Sequence, residues 1–154
     1  MTFYSRRSPR IPNFDYSSRN YYFVTICTHE KKCIFGSHEQ LSELGRIAQE
    51  DMRSIACHYN HVMIDNFIVM PNHVHAIVAI QGGQQDKADL NTIVGSYKSG
   101  VSRKIRMKYP DIKIWQRSFH DHIIRNQLEY EKIWQYIQFN WQKWEQDCFY
   151  PKNP

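Results

Sequence analysis

The stretch Met70-Pro-Asn-His-Val-His-Ala-Ile-Val78 constrains this chain more than any other, because it sets two histidines one residue apart inside an apolar, β-branched run. Such a run folds as a strand, and alternate side chains of a strand share a face. His73, His75 and Ile77 therefore point one way, and Val74, Ala76 and Val78 point the other way into a core. Two imidazoles held side by side on a stiff strand are half of a metal site, since each can give one ring nitrogen while the other nitrogen is tied to a hydrogen-bond partner. The same pattern also fits a pair of half-buried strand histidines with satisfied rings. A metal site needs a third ligand, and an enzyme needs a reacting group.

The flanking segments define the frame. Asn20 to Thr28 is rich in aromatic and β-branched residues and reads as a strand. A polar loop follows, and from Ser37, a helix cap with Gln40 three residues on, Leu41, Leu44, Ala48, Met52 and Ile55 recur at helical spacing. Asn60 to Met70 returns to strand character, and Pro71-Asn72 turns it into the histidine strand as an antiparallel hairpin. Beyond the loop at 81–87, Leu90, Ile93, Val94, Tyr97, Val101 and Ile105 form a helical stripe, with Gly95 and Gly100 as points of close backbone approach. The segment 114–125 reads as a bent strand carrying a second His-x-His at His120 and His122. A last helix covers about Leu128 to Trp144, anchored by Ile133, Trp134 and Ile137. The order strand, helix, strand, strand, helix, strand predicts an α+β fold, a ferredoxin-like βαββαβ antiparallel sheet with one added C-terminal helix.

At 154 residues with 42% hydrophobic content, the chain reads as one domain, with residues 1–19 a basic arm and 145–154 a short tail. No apolar run approaches the roughly 20 residues of a membrane span, and the basic N-terminus is followed by polar residues rather than a secretory core, so a cytoplasmic protein is expected. The four cysteines lack a CxxC pair and read as free, mostly buried thiols. A formal charge of +5 favours a polyanionic partner, most simply nucleic acid. Candidate phosphate contacts are Arg6, Arg7, Arg10 and Arg19 of the arm, and Lys98, Arg103, Lys104, Arg106 and Lys108 of the second helix; each set also fits a solvated surface.

The last helix is the natural element to complete the histidine site. On it Tyr136 and Asn140 are spaced i, i+4 and share a face, offering a phenol and an amide oxygen together, whereas Tyr130 has Ile133 and Trp134 at the corresponding positions. A strand histidine pair with a helical asparagine gives mixed nitrogen and oxygen ligation, suited to Mg²⁺ or Mn²⁺ acting on phosphate rather than to a closed structural zinc. The second pair, His120 and His122, is an alternative metal pair, although Asp121 between them and Arg125 beside them suit substrate contacts or a polar network at least as well.

The strand Tyr-Phe-Val-Thr-Ile-Cys-Thr, the histidine strand, Trp-Gln-Arg-Ser-Phe-His-Asp-His-Ile-Ile-Arg and the closing Tyr-Ile-Gln-Phe-Asn occur in this order from about Asn20 to Trp144. Together they resemble the HUH single-tyrosine transposases of bacterial insertion sequences, and more narrowly the REP-associated tyrosine transposases. The resemblance implies that His73 and His75 bind a divalent metal with Asn140 as third ligand. It further implies that Tyr136 attacks single-stranded DNA beside a hairpin, leaving a 5′-phosphotyrosine bond and a free 3′-OH, in a monomer or homodimer. His120, His122 and Arg125 would then contact DNA. One departure stands out: relatives usually continue with proline where this chain has Trp141. The competing readings are a hairpin-binding module without cleavage and a metal-dependent nuclease that uses water.

Overall fold

In the computed structural model, which describes residues 20–37, 39–82 and 88–152, a four-stranded antiparallel sheet separates two unequal helical layers. Its strands are β1 (Asn20–Cys27), β4 (Val62–Met70), β5 (His73–Ile80) and β6 (His120–Ile124), and two short strands, β2 (Gly36–Ser37) and β3 (Gln40–Leu41), pair apart from it. The helices are α1 (Glu43–His58), α2 (Leu90–Arg106) and α3 (Gln127–Gln138). The sheet order β4-β5-β1-β6 with α1 between β1 and β4 and α2 between β5 and β6 is the ferredoxin-like arrangement, with α3 added. None of the described helices is long and apolar enough to cross a membrane.

Period-two alternation on β5 divides the core. Val74, Ala76 and Val78 join the large cluster under α1 and α2, whereas Ile77 faces the smaller cluster with Phe23, Ile124, Ile133 and Ile137 under α3. His73 and His75 thus share the α3 side of the sheet. Cross-strand register places Thr25 of β1 opposite His75 and Cys27 opposite His73.

Several local expectations are corrected. The α1 cap is Ser42, whose hydroxyl accepts from Gly45 N at 3.1 Å, because Ser37 belongs to the β2–β3 hairpin inserted before the helix. Gly45 lets that first turn approach the Phe35 backbone, where an added Cβ would lie 2.1 Å from a carbonyl oxygen. Gly95 has open space beside it, and Gly100 faces the Asp51 side chain rather than another backbone. Segment 114–125 holds an isolated bridge from Trp115 to Thr28, then Ser118 at φ 70°, and only from His120 a strand. Of the cysteines only Cys27 is buried; Cys33, Cys57 and Cys148 are exposed.

The last helix ends at Gln138 rather than near Trp144, with Phe139 N–H reaching back to Gln135 O and Ile137 O. Trp141 therefore does not extend it in place of a proline. Trp134 is not an anchor but 37% exposed. What holds α3 to the sheet, besides Ile133 and Ile137, is β4: Asn66 donates to Trp134 O at 3.2 Å, and the register shift at Ile64/Asn66 sets Asp65 to accept from the Tyr130 hydroxyl.

Candidate active site

The two strand histidines are fully buried, and each has one ring nitrogen fixed from behind. Asn72 donates its amide to Phe149 O at 2.8 Å and to Lys31 O at 3.2 Å, so its Oδ1 is the atom that meets His73 Nδ1 at 2.8 Å. An acceptor there requires the proton on Nδ1 and leaves the Nε2 lone pair free. His75 Nδ1 lies 2.7 Å from Thr25 Oγ1, its cross-strand neighbour. The two imidazole centroids are 4.4 Å apart.

From the facing layer, α3 and the residues just after it bring Tyr136 and Asn140 to the same place. The Tyr136 ring lies 5.3 Å from that of His75. Asp147, from the segment after α3, accepts from Tyr136 Oη at 3.0 Å and from Asn140 Nδ2 at 3.1 Å through Oδ2, while its Oδ1 accepts from Phe149 N at 2.8 Å. A carboxylate only accepts, so the Asn140 amide group faces it and Asn140 Oδ1 is turned away.

His73 Nε2, His75 Nε2 and Asn140 Oδ1 are buried and have no hydrogen-bond partner among the described residues. Leaving such an atom unmatched costs about 1–3 kcal/mol, so three gathered in one site call for a shared partner. All three present lone pairs. A cation satisfies them together. His73, His75 and Asp147 also each place a ligand atom within 4.8 Å of the others, a potential metal site that includes an acid the sequence reading did not single out. A divalent metal therefore fits this donor set.

Burial lowers the His73 pKa to about 3 against the opposing pull of the nearby Asn140 amide, and it lowers His75 well below its usual range, with the neighbouring His73 adding to the shift. Both rings are neutral, as ligands must be. Tyr136 is shifted upward, first by burial and then by the charge and hydrogen bond of Asp147. Its hydroxyl is therefore a protonated phenol at neutral pH.

The segment after α3, read from sequence as helix end and tail, closes over the site. The Phe149 ring centroid lies 4.4 Å from that of His73 and the Trp144 centroid 5.9 Å from it. Its density of aromatics, Trp141, Trp144, Phe149 and Tyr150, was the available signal that these residues pack rather than trail.

The remaining expected site residues lie elsewhere. The second histidine pair lies on β6, where His120, opposite Thr25 of β1, is exposed and His122, opposite Phe23, contacts Glu129 at the start of α3. Arg125 is exposed just beyond β6. The α2 cations lie in the layer across the sheet from His73 and His75, and most are engaged. Lys98 donates to Gln116 O at 2.8 Å and Ser118 O at 2.9 Å, Lys104 pairs with Asp51, Arg106 reaches Ile112 O at 3.4 Å, and Lys108 meets Glu43 at 3.1 Å. Arg103 is exposed. Arg6, Arg7, Arg10 and Arg19 lie outside the described residues.

A buried histidine pair thus faces a tyrosine-bearing helix on one side of an antiparallel sheet, and comparison with known proteins places the chain among transposases. The model of the family described as "Transposase IS200 like" matches residues 15–140, and the chain belongs to that family, whose members cut and rejoin DNA. An uncharacterized protein of Haemophilus influenzae is 34% identical, with 94% of this chain and 93% of that protein covered. Among solved structures, a REP-associated tyrosine transposase bound to a REP hairpin superposes with a TM-score of 0.66 at 20% identity, covering 93% of this chain and 74% of that one. A candidate transposase of Deinococcus radiodurans gives a TM-score of 0.54 at 18% identity, covering 84% and 95%. At those identities the two structures establish the fold.

Proposed function

We propose that this chain cuts single-stranded DNA beside a hairpin and rejoins it through a covalent tyrosine intermediate. The observation that carries the reading is the convergence of Tyr136 from α3 and Asn140 just after it with the free Nε2 atoms of His73 and His75 from β5.

His73, His75, Asn140 and Asp147 would hold a divalent metal, Mg²⁺ or Mn²⁺. Bound there, such an ion supplies Lewis-acid stabilisation of charge on a phosphate. The chain's own residues do the rest. Tyr136 Oη is the nucleophile, kept in place by Asp147 below and by the edge of Phe23, whose ring centroid is 6.2 Å away. Attack forms the bond from Oη to phosphorus and breaks the bond from phosphorus to the 3′ oxygen. The phenolic proton passes to the Asp147 carboxylate that already accepts it, and the departing 3′ oxygen takes up a proton from solvent to become the free 3′-OH. Because a phosphodiester is retained as 5′-phosphotyrosine, attack by another 3′-OH reverses the step and joins strands without ATP. The likeness of fold to a hairpin-bound transposase supports a hairpin-bearing substrate.

The test is a single-stranded oligonucleotide carrying the hairpin and flanks from the protein's own genomic neighbourhood, incubated with Mg²⁺ or Mn²⁺ and resolved under denaturing conditions. A denaturation-resistant adduct that maps to Tyr136 is expected, absent in Tyr136→Phe and in EDTA. Cleavage without an adduct would instead identify water as the nucleophile, and tight hairpin binding with no cleavage would identify a binding module.

A further inference from the structure

We infer that the unpaired strand next to the scissile phosphate lies in the cleft between α3 and the segment that follows it, held by Lys132, Lys143 and Phe139. This deepens the reading of Tyr136 as nucleophile and rests on it. The cleft encloses about 670 Å³ and has Tyr136, Asn140 and Asp147 along its inner side. Lys132 lies one turn before Tyr136 on the same face of α3, a rise of about 6 Å, and Lys143 stands at the other end. A chain of phosphates passing Tyr136 therefore meets a cation on either side.

Two contrasts single out this path. The first is charge: Lys104 and Lys108 are neutralised by Asp51 and Glu43, and Lys98 is bound to carbonyls, but Lys132 and Lys143 are exposed and have no ion-pair partner among the described residues. Asp147, the one acid lining the cleft, is taken up by Tyr136, Asn140 and Phe149 N. The second is the aromatic surface: Phe139, at the end of α3, is 44% exposed on the cleft instead of buried. Free cations flanking an exposed ring are what an unpaired polynucleotide requires, the cations meeting phosphates and the ring stacking on a base of any identity. A double-stranded stem, its bases already stacked on one another, has no use for Phe139.

Fluorescence anisotropy of a labelled oligothymidylate, titrated with the full chain across a salt series, tests the assignment. Lys132→Ala and Lys143→Ala should each reduce the log-log salt slope by about 0.7, and the double variant by about twice that. Phe139→Ala should weaken binding about tenfold or more at constant slope, with Phe139→Trp restoring it. Arg103→Ala on α2 should change neither. All these side chains are exposed, so melting curves should be unchanged. The inference is overturned if the double lysine variant keeps the wild-type slope, or if oligothymidylate does not bind. Adduct mapping separates this from the underlying reading. An adduct on Tyr136 with unchanged binding by the lysine variants removes the path alone, and binding that follows the lysines without any adduct removes the cleavage reading alone.

Discussion

The Tyr136 hydroxyl donates to Asp147 Oδ2 at 3.0 Å, eleven residues downstream and beyond the end of the helix that carries the tyrosine. This contact restrains the phenol toward the histidine pair, and the negative charge it adds opposes ionisation. Both effects follow from one carboxylate. Asp147→Asn should let Tyr136 ionise at lower pH, because burial then acts without the charge and the charged hydrogen bond. The difference in alkaline ultraviolet titration between Asp147→Asn and Asp147→Asn with Tyr136→Phe isolates this one tyrosine among ten. Adduct formation should fall in Asp147→Asn, since the proton acceptor and one ligand are lost together. A Tyr136 titration that stays in place would show that Asp147 does not control the phenol.

Metal binding at neutral pH should release no histidine protons. Burial has already lowered His73 to about 3 and His75 well below its usual range, so neither ring carries a proton to displace. Calorimetry of Mn²⁺ binding at pH 7 in two buffers with different ionisation enthalpies should give the same heat. A buffer-dependent heat equivalent to one proton per ion would contradict the ring assignments.

The same shifts set an acid limit on the metal-free protein. The folded pKa of His73 lies below the value of 6.5 for a free ring, so below about pH 6.5 the unfolded chain binds protons that the folded chain refuses. Stability is fully present above that pH and is lost as pH falls from about 6.5 toward 3, with His75 acting in the same sense. Each ring contributes on the order of 1 kcal/mol per pH unit within the window. Thermal midpoints in EDTA should therefore fall more steeply with acidification for the wild type than for His73→Gln with His75→Gln. Parallel curves would refute it.

Most of the frame is legible in sequence because it rests on periodicity. Alternation on β5 separates His73, His75 and Ile77 from Val74, Ala76 and Val78, and the two core clusters follow that division. The i, i+4 spacing brings Tyr136 and Asn140 to one face because one helix carries Tyr136 and its last turn leads into Asn140. What periodicity does not encode is chain reversal. Nothing in the spacing of Asp147 and Phe149 tells that the segment after Gln138 folds back over His73, since that contact depends on aromatic packing and on the Asn72 amide reaching Phe149 O. Ser37 failed as a cap for a similar reason: Ser37 and Ser42 are equally suitable cap residues, and the β2–β3 hairpin that decides between them is a tertiary feature. The charge stripe of α2 was visible, but not the acids of α1 that neutralise it.

The residues behind the histidines should matter nearly as much as the histidines. Thr25→Val removes only the hydroxyl that meets His75 Nδ1 at 2.7 Å in a fully buried site, and Asn72→Ala removes the acceptor for His73 Nδ1 together with two donors to backbone. A ring that loses its partner is free to change tautomer or turn, and metal affinity is expected to fall about 10- to 100-fold in either variant. The two differ in stability. Thr25→Val leaves one ring nitrogen unmatched and should cost about 1–3 kcal/mol. Asn72→Ala also frees Phe149 O and Lys31 O, loosening the segment that carries Asp147, so its cost should be larger and should appear as faster proteolysis after Gln138. Metal titration, chemical denaturation and limited proteolysis of both variants decide it. Wild-type metal affinity in Thr25→Val, or an unaltered cleavage pattern in Asn72→Ala, would show that these contacts do not hold the site together.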